Sequence, residues 1–140
     1  MGKINFGRVL LGGLVAGIVL NIGEYLLNDK VFGAQMKAEM ARHNYPMPGG
    51  NAIVIAIVMT FLLGIVIVLG YAAIRPRFGA GPKTAMIAAL FAWFGVYLYN
   101  KILFWAFGLV PTNMLPIALV WGLVEFIVAA LIGAWLYKEA

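Results

Sequence analysis

Residues 115–137 read LPIALVWGLVEFIVAALIGAWLY, 23 residues with one charged side chain, Glu125. A helix needs about 20 consecutive, mostly apolar residues to cross a bilayer. This stretch supplies them, and three more segments do the same: about 6–27, 52–74 and 84–104. The 52–74 segment carries no charge at all. Breakers stand between the four: Pro46, Pro48, Gly49 and Gly50, then Pro76, Gly79, Gly81 and Pro82, then Gly108, Pro111 and Pro116. The apolar residues run continuously and do not alternate, which disfavours barrel strands. The expectation is an all-α polytopic membrane protein, a single domain over 1–140 built as a bundle of four transmembrane helices.

Composition agrees. Of 140 residues, 64% are hydrophobic and 11% are charged, against about 25% charged in an ordinary soluble domain. The net charge of +5 in so apolar a chain reads as loops facing anionic lipid headgroups, with no nucleic acid as partner. The chain has no cysteine and no serine, so thiolate metal sites, thiol catalysis and serine nucleophiles are excluded. Thr60, Thr84 and Thr112 have no base beside them in sequence. The reading is therefore non-enzymatic, with no cofactor. Lys3 and Arg8 before the first apolar run are read as flanking a retained first span.

Orientation follows the positive residues. Lys3, Arg8, Arg75, Arg77, Lys83 and Lys138 fall on one side; Lys30, Lys37, Arg42 and Lys101 fall on the other. The short, acid-free loop around 75–83 places the first set in the cytoplasm, with both termini. Between spans one and two, KVFGAQMKAEMARHNY (30–45) sets Phe32, Met36 and Met40 four residues apart. That is one apolar stripe on an amphipathic helix, expected to lie in the outer interface.

In lipid, helices associate through close backbone approach and polar contacts. Span one offers Gly13 and Gly17. Span two offers a ladder, Ala52, Ala56, Thr60 and Gly64. Span three offers Ala85, Ala88, Ala89, Ala92 and Gly95, and span four Gly122, Ala129, Ala130 and Gly133.

The polar residues are fewer and more informative. A charge inside the membrane is expensive and marks a functional site by default. Asn21, Glu24 and Asn28 share one helical stripe. Asn100 and Lys101 stand near the outer end of span three, at a depth where Lys101 is placed to pair with Glu24. Glu125 lies about 16 Å into span four at 1.5 Å per residue, close to the midplane. Depth counting puts Glu24 near the boundary, too far for contact with Glu125, and makes Asn21 the residue placed to bridge to it. Asn21, Glu24, Asn28, Asn100, Lys101 and Glu125 are the candidate polar core and ion relay. The plainer reading is that they hold helices together.

Met36, Met40, His43 and Met47 have the donor chemistry of a Cu(I) site, but the plainer reading is an interfacial apolar stripe, and no metal is assigned. The segment VFGAQMKAEM (31–40), with LIGAWLY (131–137), resembles an uncharacterised family of small bacterial four-helix membrane proteins. That family carries an aromatic residue where Gln35 stands here. The resemblance implies a bacterial inner-membrane location and no particular activity. Two functions are open on the sequence. One is a structural membrane protein, acting as a homo-oligomer or an accessory subunit of a larger complex. The other is a small proton- or cation-linked transporter or channel using Glu125 and Glu24. A sealed, dry core favours the first; a cavity reaching Glu125 favours the second.

Overall fold

The computed structural model describes residues 2–140. All regular structure among them is helical: α1 (Phe6–Tyr25), α2 (Gly33–Arg42), α3 (Gly50–Phe78), α4 (Pro82–Trp93), α5 (Tyr99–Ala106) and α6 (Met114–Leu136). A π-helical turn, Leu26–Val31, prolongs α1, and a second, Phe94–Leu98, joins α4 to α5. Four continuous rods result: Phe6–Val31, Gly50–Phe78, Pro82–Ala106 and Met114–Leu136. Each is long and apolar enough to span a membrane, as in a multi-pass membrane protein. The four expected spans are all present. The largest boundary differences are four residues, at the end of the first, where the π turn carries the helix on to Val31, and at the end of the second, which runs on to Phe78.

The rods close on one another at the end that holds both termini. Asn5 caps α1, its side chain accepting from the Arg8 N–H at 3.1 Å. Its own N–H donates to the Tyr137 hydroxyl at 3.3 Å, which ties the start of α1 to the residue after α6. The Tyr137 ring meets Tyr71 of α3 edge-on, centroids 5.9 Å apart. Tyr71 in turn accepts from Gly81 N–H at 3.1 Å. Gly79 and Gly81 carry the α3–α4 turn at φ +84° and +123°, a backbone region that costs a side-chain-bearing residue energy. Thr84 finishes the turn by donating to the Gly79 carbonyl at 2.7 Å, one of the acceptors left open where α3 ends.

The same half is packed through small residues. Gly13 and Gly17 of α1 meet Gly64 of α3 so closely that a Cβ on Gly64 would land on the backbone of both. This is the close-crossing arrangement that GxxxG spacing allows. On its other side α1 meets α6, where Gly12 and Ala16 face Gly133. Ala85, Ala88, Ala89, Ala129 and Ala130 are buried in the same layer, beside Val68 and Ile67.

The α3 ladder is used only in part. Gly64 is buried, Thr60 is half-buried, and Ala56 and Ala52 are exposed. All of residues 51–59 are exposed, so the first part of α3 stands away from the other helices. Gly95 is likewise exposed, with open space where a Cβ would sit. The expectation that each rod packs along its whole small-residue face holds at the termini end and fails at the other.

Candidate functional site

Where α3 stands away, a cavity of about 1060 Å³ opens between α1, α2, α3 and the α4–α5 rod. Its walls are mostly apolar: Leu20 of α1, Met36 and Met40 of α2, Ile57 and Phe61 of α3, Phe126 of α6. Glu24, Tyr97 and Glu125 line it together, with Asn21, Asn28 and Lys101.

Glu24 sits just before the first π turn, and both π turns supply its partners. Asn28, inside Leu26–Val31, donates from Nδ2 to the Glu24 carboxylate at 2.9 Å and to the Glu24 main-chain carbonyl at 2.9 Å. Tyr97, inside Phe94–Leu98, donates its hydroxyl to Glu24 Oε1 at 2.5 Å. A π turn rotates side chains off the regular α-helical stripe and is common at functional sites. Without the second turn Tyr97 would not sit at this register. The Tyr97 ring is buried. It packs edge-on against Phe126, with centroids 5.4 Å apart, in a space left by Gly122, where a Cβ would strike the ring.

Glu125 is different. It is 7% exposed. Neither of its carboxyl oxygens has a hydrogen-bond partner among the described residues. The Glu24 carboxyl and the Trp121 indole lie within interaction range of it. Trp121 is committed elsewhere, donating Nε1–H to the Gly23 carbonyl at 3.1 Å. Gly23 is what lets Glu125 reach this position, since a Cβ there would overlap the Glu125 carboxyl. Leaving a buried acceptor unmatched costs about 1–3 kcal/mol, and more if it is charged. The fold tolerates that cost beside a second carboxyl, on the wall of its large cavity.

The candidate residues therefore divide. Glu24, Asn28 and Glu125 come together. Depth counting set the two carboxyls apart; here they line one cavity within interaction range of each other. Lys101 lines the cavity but forms no ion pair with Glu24 within 4.0 Å. Its Nζ lies over the Tyr97 ring, 5.5 Å from the centroid, and the tyrosine takes the place expected of the lysine. Asn21 lines the cavity but does not bridge to Glu125; it donates to the Gly17 carbonyl at 2.9 Å and to Ile57 at 3.4 Å, a link to α3. Asn100 is exposed and donates to the Gly95 and Val96 carbonyls at 3.2 and 3.0 Å. It satisfies itself on carbonyls that the second π turn leaves open and does not join the cluster. Trp121 and Gly23 were not singled out from the sequence, and Gly122 was read there as a helix-packing residue, where it instead makes room for the Tyr97 ring. In an apolar run a lone tryptophan or glycine carries no distinguishing pattern.

The segment read as an amphipathic helix forms α2 and borders the cavity. Gln35 of α2 and Asn113, just before α6, exchange two amide hydrogen bonds of 3.0 and 3.1 Å. Phe32 is buried, and Met36 and Met40 face the cavity. Met47 lines the cavity too, while His43 stacks with Tyr45 at 5.9 Å. Among the described residues no three carboxylate or imidazole groups converge.

Comparison of the chain with protein families, with curated proteins and with solved structures finds no match to any of them.

Proposed function

We propose that the chain is a small multi-pass membrane protein that binds a proton or a cation at the Glu24–Glu125 pair and carries it across the membrane. The observation that supports this is the unpartnered, buried Glu125 on the wall of a cavity of about 1060 Å³. A protein that served only as a homo-oligomeric or accessory scaffold would have no use for such a cavity. It would also gain stability by replacing Glu125 with an apolar residue, since a buried charge without its partner is a net cost. Two carboxyls within interaction range hold each other only when one carries a proton or a cation lies between them. Binding and release at this pair is thus the chemistry the arrangement supports. No nucleophile and base stand at catalytic spacing in the cluster, and the reading is non-enzymatic with no resident cofactor.

The rest of the setting follows from charge and composition. We place the protein in the bacterial inner membrane with both termini cytoplasmic, α2 on the outer side, and anionic headgroups against the basic 75–83 loop. Assembly as a homo-oligomer or within a larger membrane complex is compatible with the exposed apolar rods. In that orientation the cavity faces outward and the sealed half faces inward, which is one state of an alternating-access cycle.

Two experiments test this. In proteoliposomes with an imposed pH gradient, the wild type should dissipate the gradient and Glu125→Gln should fold but fail to do so. Equal behaviour of the two would remove the relay. For topology, a cysteine at Asn44 should label from the periplasmic side and one at Gly79 only from the cytoplasmic side. The reverse pattern would invert the orientation.

A further inference from the structure

The cavity is far larger than its charged wall. A water occupies about 30 Å³ in the liquid, and drug-sized ligands fill sites of about 300–1,000 Å³. A bare metal ion of the Ca²⁺ type is held by about six to eight converging oxygens. Here Asn28 and Tyr97 give their protons to Glu24, and among the described residues no third carboxylate or imidazole converges with Glu24 and Glu125. What the cavity adds to its carboxyls is apolar surface: Leu20, Met36, Met40, Ile57, Phe61 and Phe126. Methionine side chains are flexible and polarisable, and adapt to apolar bodies of differing shape.

The charges are graded along the cavity. Asp29 is paired with Lys30 at 3.2 Å and both are exposed. Lys37 is exposed on α2, and the Lys101 Nζ lies 5.5 Å from the centroid of the Tyr97 ring. Deeper, Glu24 and Glu125 stand beside Asn28, Tyr97 and Trp121, with no cation among the described residues within 4.0 Å of either carboxyl. The deep end is thus the anionic end, and its one unmatched group is Glu125.

Building on the carrier reading above, we infer that the occupant is a monovalent organic cation with an apolar body, an amine or onium ion. Its charge rests on the Glu24–Glu125 pair and its body lies against the methionine, leucine and phenylalanine wall. The carboxyls supply selection by sign and the wall supplies affinity without demanding one shape. A proton and such a cation satisfy the same pair and exclude each other there, so the proposal includes competition between them. The titratable and charged groups that line the cavity with the pair are Tyr25 and Asp29 from the first rod, Lys37 from α2, and Tyr97 and Lys101 from the third.

The test uses two ions of one shape and opposite charge, tetraphenylphosphonium and tetraphenylborate. Each is equilibrated by dialysis against the full chain in detergent, with protein-free micelles as reference. The phosphonium should bind saturably, at one per chain, and the borate should neither bind nor displace it. Glu125→Gln should weaken phosphonium binding at least about tenfold, the loss of one charge-assisted contact. Glu24→Gln should weaken it less, because Asn28 and Tyr97 still orient the amide. Sodium at equal concentration should not compete. Equal binding of phosphonium and borate, or undiminished binding to Glu125→Gln, would overturn the inference. Absence of phosphonium binding in a protein that still dissipates a pH gradient through Glu125 would overturn the organic-cation assignment and leave the proton-carrier reading standing. Loss of both would remove both.

Discussion

The two ends of this bundle are built from the same kinds of residue and do opposite things. At the termini end, glycines bring helices into backbone contact: Gly64 lies against Gly13 and Gly17, and Gly12 against Gly133. At the α2 end, glycines make room for functional side chains: Gly122 for the Tyr97 ring and Gly23 for the Glu125 carboxyl. The first half is sealed by a chain of contacts from Asn5 through Tyr137 and Tyr71 to Gly81. The second half leaves residues 51–59 of α3 exposed and opens into a cavity. A small residue in a membrane helix is therefore not by itself evidence of helix packing. What its missing Cβ would have touched decides which role it has.

That contrast can be broken by substitution. The largest effect is expected at Gly64. An added Cβ would fall on the rigid backbone of Gly13 and Gly17, so Gly64→Ala should cost about 3 kcal/mol, the upper end of overpacking penalties. Thermal unfolding in detergent measures it. An unchanged melting temperature would mean that the close crossing is absent.

Gly23→Ala should behave in the opposite sense. The added methyl meets the movable end of Glu125, so stability should fall by about 1 kcal/mol or less. Phosphonium binding should nevertheless weaken by about tenfold, because the carboxyl is displaced. A variant that unfolds like Gly64→Ala would erase the distinction between the two halves.

Tyr97→Phe removes one donor to Glu24 and keeps the ring between Phe126 and Lys101. Asn28 still donates to Glu24, so the expected loss of stability is about 1 kcal/mol. The smallest effect is expected at the latch over the cavity. Gln35→Ala leaves Asn113 exposed to water, which offsets most of the two lost hydrogen bonds, and global stability should move by less than about 0.5 kcal/mol. Amide exchange in α2 should quicken all the same, because Gln35 and Asn113 form the side-chain hydrogen bonds that tie α2 to the start of α6.

Much of the fold was legible in the chain, because a span is a property of composition. Continuous apolar runs and the prolines and glycines between them locate all four rods, and the spacing of Phe32, Met36 and Met40 locates α2. The site was legible only in its carboxyls and Asn28. Depth counted along straight helices kept Glu24 and Glu125 apart, yet both line one cavity within interaction range. Neither π turn has a pattern in the residues themselves. Lys101 was assigned the role that Tyr97 plays, since a charge is conspicuous in an apolar run and a phenol is not. The cavity was invisible for a further reason. It exists because α3 stands away from its neighbours over residues 51–59, and helix separation depends on how all the rods settle against one another.

The central claim is that the α2 half holds a water-accessible, cation-selective cavity while the termini half is sealed. The chain has no native cysteine, so single cysteines report cleanly. Rates of reaction with a membrane-impermeant thiol reagent should be compared at Ala56 on the cavity wall, at buried Ala89, and at Val128 on the exposed face of α6. Ala56→Cys should react fastest, and tetraphenylphosphonium but not tetraphenylborate should slow it. Reaction at Ala56→Cys no faster than at Val128→Cys, with no protection by the phosphonium, would contradict the account.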